Sequence, residues 1–503
     1  MKNKQINNNQ LSSKKLMGLT ICYGHFNVIH PGHIRYFENA KKYGKEIIVA
    51  IPYKENTRGR GSETLYSPEE RMEGVSQVEL VDYVVLLDGI NLADLVEKLK
   101  PSNLVLGKEF ELERRNEAAK AIESVLENGG MVRFDAGRVH YASSNFLSKQ
   151  PENILAERFD AYKKACERNG INFDKLVEDV DKFQSKSLLV IGDLILDQYI
   201  ACDALGMSSE APIVVLKEIG SKDFLGGAGI VAAHIASLGA NAKLISMIGR
   251  DESARVLKKA LNSYNICHEL IEDPGRPTTY KARYMVDTQK LYRVSRLEDQ
   301  PADSLIEMQI IEKINALSPF VSGILVSDFQ YGVITDKVLK AIYANASKYN
   351  LMLYGDLQCS SQVGSILKFK NFDLLCPTER EARIALDSHG TGVEEVAHKL
   401  IELTNTKYLI FKMGSEGFIA YEKKADGGIL REHFPALNAN PLDVTGAGDS
   451  LLSCMSSALV YGLPFMHAAA VSACMAAISV QSIGNTPIRK KDLQDFISNC
   501  MKS

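Results

Sequence analysis

The chain is 503 residues long, enough for two or three domains that bury their own cores without disulfide or metal staples. Lys and Arg number 59 against 62 Asp and Glu, a net charge of −3, which excludes a protein built mainly to coat nucleic acid. A composition of 45% hydrophobic and 24% charged residues excludes a disordered chain.

Residues 1–15 are polar and Asn-rich, with no apolar stretch of a secretory signal, and are expected to form a disordered tail. A first domain is expected over 16–150. Apolar runs predict strands at 19–23, 46–51, 83–87 and 103–106, and helical spacing predicts helices at 34–43, 68–78 and 91–99. This alternation specifies a doubly wound parallel sheet. Residues 151–185 are charge-rich and are expected to form a helical linker. A second α/β domain is expected over 186–503, with strands at 187–192, 323–327, 352–354, 373–375 and 408–411. Residues 450–486 carry no Asp, Glu, Lys or Arg, but Gly462 and Pro464 interrupt them, so two buried helices are expected rather than a membrane span. The nine cysteines are odd in number, scattered and without a CxxC pair, which favours buried thiols over a disulfide framework or structural zinc. The expected location is the cytoplasm, without membrane insertion.

Two motifs carry chemistry. After the first strand, residues 24–33 read GHFNVIHPGH and lead into a helix. His30 and His33 are three apart at the helix entrance, so their imidazoles share a face beside free amides and the positive helix end. Gly32 leaves room for a nucleotide, and two donors can stabilise charge building on an α-phosphate. Two histidines can also be plain polar loop residues, but placement between a first strand and a helix favours the phosphate site. Near the other end, residues 443–450 read DVTGAGDS. Small residues let the amides of Gly446, Ala447 and Gly448 converge as an anion hole at a helix start. Asp449 stands there as a base for an attacking hydroxyl.

The first motif resembles the HxGH nucleotidyltransferase family, which includes glycerol-3-phosphate cytidylyltransferase, over roughly residues 18–150. Gly24, Phe26, His30, Gly32 and His33 match its GxFDxxHxGH pattern, and Asn27 replaces its Asp. The resemblance implies a Rossmann-like domain in which His30 and His33 are catalytic. It further implies nucleotide or phosphate contacts from Gly24, Phe26, Gly32, Thr57, Arg58, Lys108, Ser143 and Ser144, and likens 67–71 to the family's following helix start. The second motif resembles ribokinase-like sugar kinases of the phosphofructokinase-B type, over about 186–495. The resemblance implies a base at Asp449, sugar contacts from Asp193, Asp197, Gly226 and Gly227, and nucleotide contacts from Gly414, Gly417, Gly446, Ala447 and Gly448. Glu381 would serve Mg²⁺ indirectly. Residues 208–212 resemble a segment of the heptose 7-phosphate kinases. The departures are Ile230 for a sugar-contacting Asn, Thr378 for the Asn of NxxE, and Gln358 for a Lys after Asp356.

Together the chain resembles the bifunctional heptose 7-phosphate kinase/heptose 1-phosphate nucleotidyltransferase type of ADP-heptose synthesis, with the domain order reversed. This implies anomeric phosphorylation of a sugar phosphate and nucleotidyl transfer from ATP or CTP to the sugar 1-phosphate. The product would be a nucleotide-activated sugar for surface polysaccharide. Mg²⁺ is the expected cofactor, small molecules the expected partners, and a homodimer an expectation carried by resemblance. The alternatives are CDP activation of another sugar or polyol phosphate, or one domain kept only as a ligand-binding regulatory module.

Overall fold

The structure is a computed structural model that describes residues 19–26, 29, 31–53, 66–107, 116–135, 151–359, 364–388 and 391–502. The chain divides into two compact units, Met1–Gln150 with Leu386–Lys399, and Pro151–Ala385 with Leu400–Ser503.

The first unit holds five parallel strands: β1 (Leu19–Tyr23), β2 (Glu46–Pro52), β3 (Tyr83–Leu87), β4 (Asn103–Gly107) and β5 (Met131–Asp135). Their order is β3-β2-β1-β4-β5. The strands read as continuous apolar runs because both faces are covered. Ile21, Ile48 and Leu104 enter one core cluster, while their neighbours Cys22, Val49 and Val105 enter the cluster on the opposite face. The strand order reverses beside β1, where ligands of open α/β sheets bind beyond the strand ends. Helix Pro68–Ser76 begins with a capping box: Glu70 N–H donates to Ser67 Oγ at 3.2 Å and Ser67 N–H to Glu70 Oε2 at 2.8 Å.

The second unit is built on nine strands in the order β10-β9-β6-β13-β14-β15-β16-β17-β18. These are β6 (Ser187–Gly192), β9 (Asn241–Ile248), β10 (Cys267–Glu272), β13 (Gly323–Asp328), β14 (Met352–Leu357), β15 (Leu374–Leu375), β16 (Tyr408–Lys412), β17 (Phe418–Lys423) and β18 (Ile429–Phe434). Pairing is parallel from β10 to β16 and antiparallel through β17 and β18. A separate sheet, β12-β11-β7-β8, comprises β7 (Leu194–Met207), β8 (Val214–Gly227), β11 (Tyr280–Val286) and β12 (Gln289–Arg296). None of its strands is expected from apolar runs, because the outer part of β7, most of β8 and all of β12 are exposed and interleaved with charge.

Residues 151–185, expected as a linker, are helical over Pro151–Arg168 and Phe173–Asp181. They also lend Tyr162, Cys166, Leu176 and Val180 to the core of the second unit. The uncharged stretch forms the two expected helices, Ala447–Tyr461 and Phe465–Ser479. At 15 residues each, both fall short of the ~20 that a membrane span requires. Among the described residues no helix is long and apolar enough to cross a membrane.

Candidate active sites

In the first unit, Gly24, His25 and Phe26 leave the C-terminal end of β1, and helix Pro31–Tyr43 starts a few residues later. Phe26 takes a left-handed backbone (φ 51°), uncommon for a residue with a side chain and of the kind that clusters at functional turns. Its buried ring packs edge-on against the His33 imidazole, centroids 5.0 Å apart, and against Phe37 at 5.4 Å. Gly24 gives that ring room, since a Cβ there would press on it at 3.0 Å. Buried Arg71 braces the turn, donating to His25 O at 2.8 Å and to Pro52 O at 3.0 Å. The structure thus brings Gly24, Phe26 and His33 together at the head of a helix containing Gly32. His30, Asn27, Thr57, Arg58, Lys108, Ser143 and Ser144 lie outside the described residues.

In the second unit the expected residues gather at the C-terminal ends of parallel strands. Gly446 (φ 82°) caps helix Ala447–Tyr461, placing Gly448 and Asp449 in its first turn. Asp449 is buried and its Oδ1 accepts from Gln358 Nε2 at 3.0 Å. Burial, then the neighbouring Asp356, push its carboxyl up to about 7, against the opposing pull of Lys412 and Lys281. An acid poised there can exchange a proton near neutral pH. Lys412, the last residue of β16, donates to both oxygens of Asp356 at 3.0 Å. Gly414 and Gly417 follow in a short turn. Gly417 is obligatory, with φ 89° and a Cβ position only 2.2 Å from Phe434 O. Asp443 anchors the loop that leads into this helix: it accepts from Tyr199 Oη at 2.7 Å, Thr445 N at 2.9 Å, Gly484 N at 3.2 Å and the Lys290 ammonium. Burial opposes its ionisation, but these donors outweigh it and hold the carboxyl at about 2.

The two aspartates and the diglycine form one interlocked piece. Asp197 is buried, paired with the Arg283 guanidinium, and accepts from Asn485 Nδ2 at 3.3 Å. Gly226 has no room for a side chain, its Cβ position being 2.5 Å from Asp197 Oδ2. Gly227 (φ 56°) would set a Cβ 2.2 Å from Asp193 O, which itself accepts from Ala228 N at 2.9 Å. Asp193 Oδ2 accepts from Phe329 N at 2.7 Å, and burial and then Asp328 raise its carboxyl to about 7. Asp193 therefore braces the backbone, while Asp197 carries the charged contact. Ile230 is fully buried in the apolar core, so that position offers no polar group to a sugar.

Glu381 accepts from Cys359 N at 3.2 Å and Thr378 N at 2.8 Å, which fixes its carboxylate at the head of helix Glu379–Ala385. Among the described residues no three His, Cys, Asp or Glu side chains cluster to hold a metal ion. This donor set fits a Mg²⁺ held chiefly by phosphates and water with a carboxylate behind them, rather than an all-protein cage. Sequence reasoning missed Arg283, Asn485, Tyr199, Lys290 and Lys412. Only Lys412 leaves a local signal, a lone cation ending an otherwise apolar strand (YLIFK) two residues before Gly414.

The family described as pfkB family carbohydrate kinase matches residues 185–491, and that described as cytidylyltransferase-like matches 21–154. The chain is 29% identical over 332 residues to the bifunctional protein HldE of Trichlorobacter lovleyi, covering 64% of this chain and 65% of that protein. It is 29% identical over 316 residues to the HldE of Campylobacter jejuni subsp. doylei, covering 62% and 65%. The chain thus spans about 65% of the length of these curated relatives. Phosphofructokinase-2 from Escherichia coli in complex with substrates and products superposes with a TM-score of 0.52 at 16% identity, covering 63% of this chain and 99% of that one. Ribokinase from Arabidopsis thaliana complexed with ribose and ATP gives 0.50 at 17% identity, covering 62% and 98%. These two likenesses carry the fold of the second unit.

Proposed function

Because the chain belongs to the pfkB family of carbohydrate kinases, we propose that its second unit phosphorylates the anomeric hydroxyl of a sugar phosphate of the heptose 7-phosphate kind. Its first unit then links the resulting sugar 1-phosphate to a nucleotidyl group from ATP or CTP, making a nucleotide-activated sugar for surface polysaccharide in the cytoplasm. Support comes from one juxtaposition: Asp449, raised to about 7, heads the glycine-rich helix start within the electrostatic reach of both Asp356 and Asp197. Relatives named as bifunctional and a cytidylyltransferase-like match over 21–154 support the second activity.

In the kinase step Asp449 takes the anomeric proton as that oxygen bonds the γ-phosphorus. The bond to the bridging oxygen breaks, and its electron pair leaves with ADP. The amides at 446–448 stabilise the transferring group. Glu381, fixed by Cys359 N and Thr378 N, would help to hold Mg²⁺ through water, and the ion would supply positive charge against the phosphates. In the transfer step an oxygen of the sugar 1-phosphate attacks the α-phosphorus, pyrophosphate leaves, and His30 and His33 donate to the α-phosphate oxygens.

The test is incubation of the full chain with Mg²⁺, ATP or CTP and a panel of sugar phosphates, read by mass spectrometry. A heptose 7-phosphate converted to its 1,7-bisphosphate is the expected outcome; no phosphorylation of any sugar phosphate would contradict it. The buried Ile230 favours a second reading, in which another sugar or polyol phosphate in the panel is turned over instead.

A further inference from the structure

We infer that Lys412 supplies the fixed positive charge of the kinase pocket, turning one N–H to the phosphoryl group in transfer; this rests on the phosphoryl-transfer reading above. Strand β15 is only two residues long, so beyond its end Lys412 on β16 reaches across to Asp356 on β14. An ammonium has three donors. Two are spent on Asp356 Oδ1 and Oδ2, both at 3.0 Å, and among the described residues the third has no acceptor. The nitrogen also lies 3.2 Å from where a Cβ on Gly448 would stand, so it sits directly against the turn that forms the anion hole. A side chain at 448 would displace it.

The surrounding groups explain why a cation is needed there. Asp356 and Asp449 are both buried carboxylates, and Gln358 touches both, at 3.4 Å and 3.0 Å, with a neutral amide. Glu381 also acts on Asp356 and Lys412, so without Lys412 a polyanion would approach these carboxylates with one buried cation fewer to offset them. Gln358, the residue after β14, reaches the same space, so a lysine at 358 would bring its charge to nearly the same place. Lys412 keeps its proton throughout; the anomeric proton still passes to Asp449.

A purely structural Lys412 would matter only by leaving Asp356 buried and unpaired. The variants Lys412→Met, Asp356→Asn/Lys412→Met and Gln358→Lys/Asp356→Asn/Lys412→Met separate the two roles. Turnover, thermal melts and calorimetric titration with ATP and with ADP are measured on the full chain. Lys412→Met should lose about 10²–10³ in kcat and about tenfold in ATP affinity, with ADP affinity unchanged. The double variant should melt like the wild type yet stay equally slow, and adding Gln358→Lys should restore at least about tenfold. Double-variant turnover within about threefold of wild type, or equal losses for ATP and ADP, would overturn the inference. A wild type that phosphorylates no sugar phosphate would instead defeat the kinase reading, and the ATP-against-ADP titration would still decide on Lys412.

Discussion

At Asp449 the chemistry of the kinase pocket turns on one proton. Its carboxyl ionises at about 7 in the fold and at about 3.8 unfolded, so kcat/KM for phosphorylation should rise with pH and level off above 7. Asp449→Asn should lower kcat by about 10²–10⁴, as loss of a positioned base does. The same shift has a stability consequence. Between the two pKa values the folded state holds a proton that the unfolded chain has released, so stability falls as pH rises from about 4 to 7. Asp449→Asn escapes that cost and should be more stable than wild type at pH 8, by on the order of 2–4 kcal/mol. The gap should narrow towards pH 4, and denaturant unfolding at both pH values measures it. A buried pair carries the opposite risk: Arg283→Ala leaves buried Asp197 without its cation, and should cost about 3–5 kcal/mol in the same assay. Asp449, Asp197 and the glycines were legible as residues because each sits in a short motif. Arg283 and Asn485 were not, since their partner Asp197 lies 86 and 288 residues away, and such a contact leaves no local pattern.

At the scale of elements, the sites depend on strand ends and the turns that leave them. Two left-handed glycines show how much a turn's surroundings matter. Gly427 (φ 86°) faces open space, so Gly427→Ala should cost only about 1 kcal/mol of backbone strain. At Gly227 a Cβ would collide with Asp193 O, so Gly227→Ala adds displacement of the diglycine to the same strain. It should unfold more readily than Gly427→Ala and raise the KM for sugar, which Gly427→Ala should leave alone; thermal melts and steady-state kinetics compare them. Elements buried on both faces were readable as apolar runs: β1, β3 and β13 fall within a residue of their expected bounds. The sheet of β7, β8, β11 and β12 escaped because its outer parts are solvated and charged, so neither a run nor a clean alternation survives. The helices over 151–181 were readable as helices, but their place in a core depends on Tyr162 and Leu176 meeting residues far along the chain.

For the whole molecule, two α/β units each present a glycine-bearing turn and a helix start at the ends of parallel strands, the place where open sheets bind ligands. The central claim is that these are two independent phosphate-handling centres in one polypeptide. The most direct measurement assays each step separately on the full chain: phosphorylation from ATP and the sugar phosphate, and nucleotidyl transfer from supplied sugar 1-phosphate. Asp449→Asn should slow the first by about 10²–10⁴ and spare the second, while His33→Ala should slow only the second. Loss of both steps in either variant, with the fold intact by circular dichroism, would contradict the account.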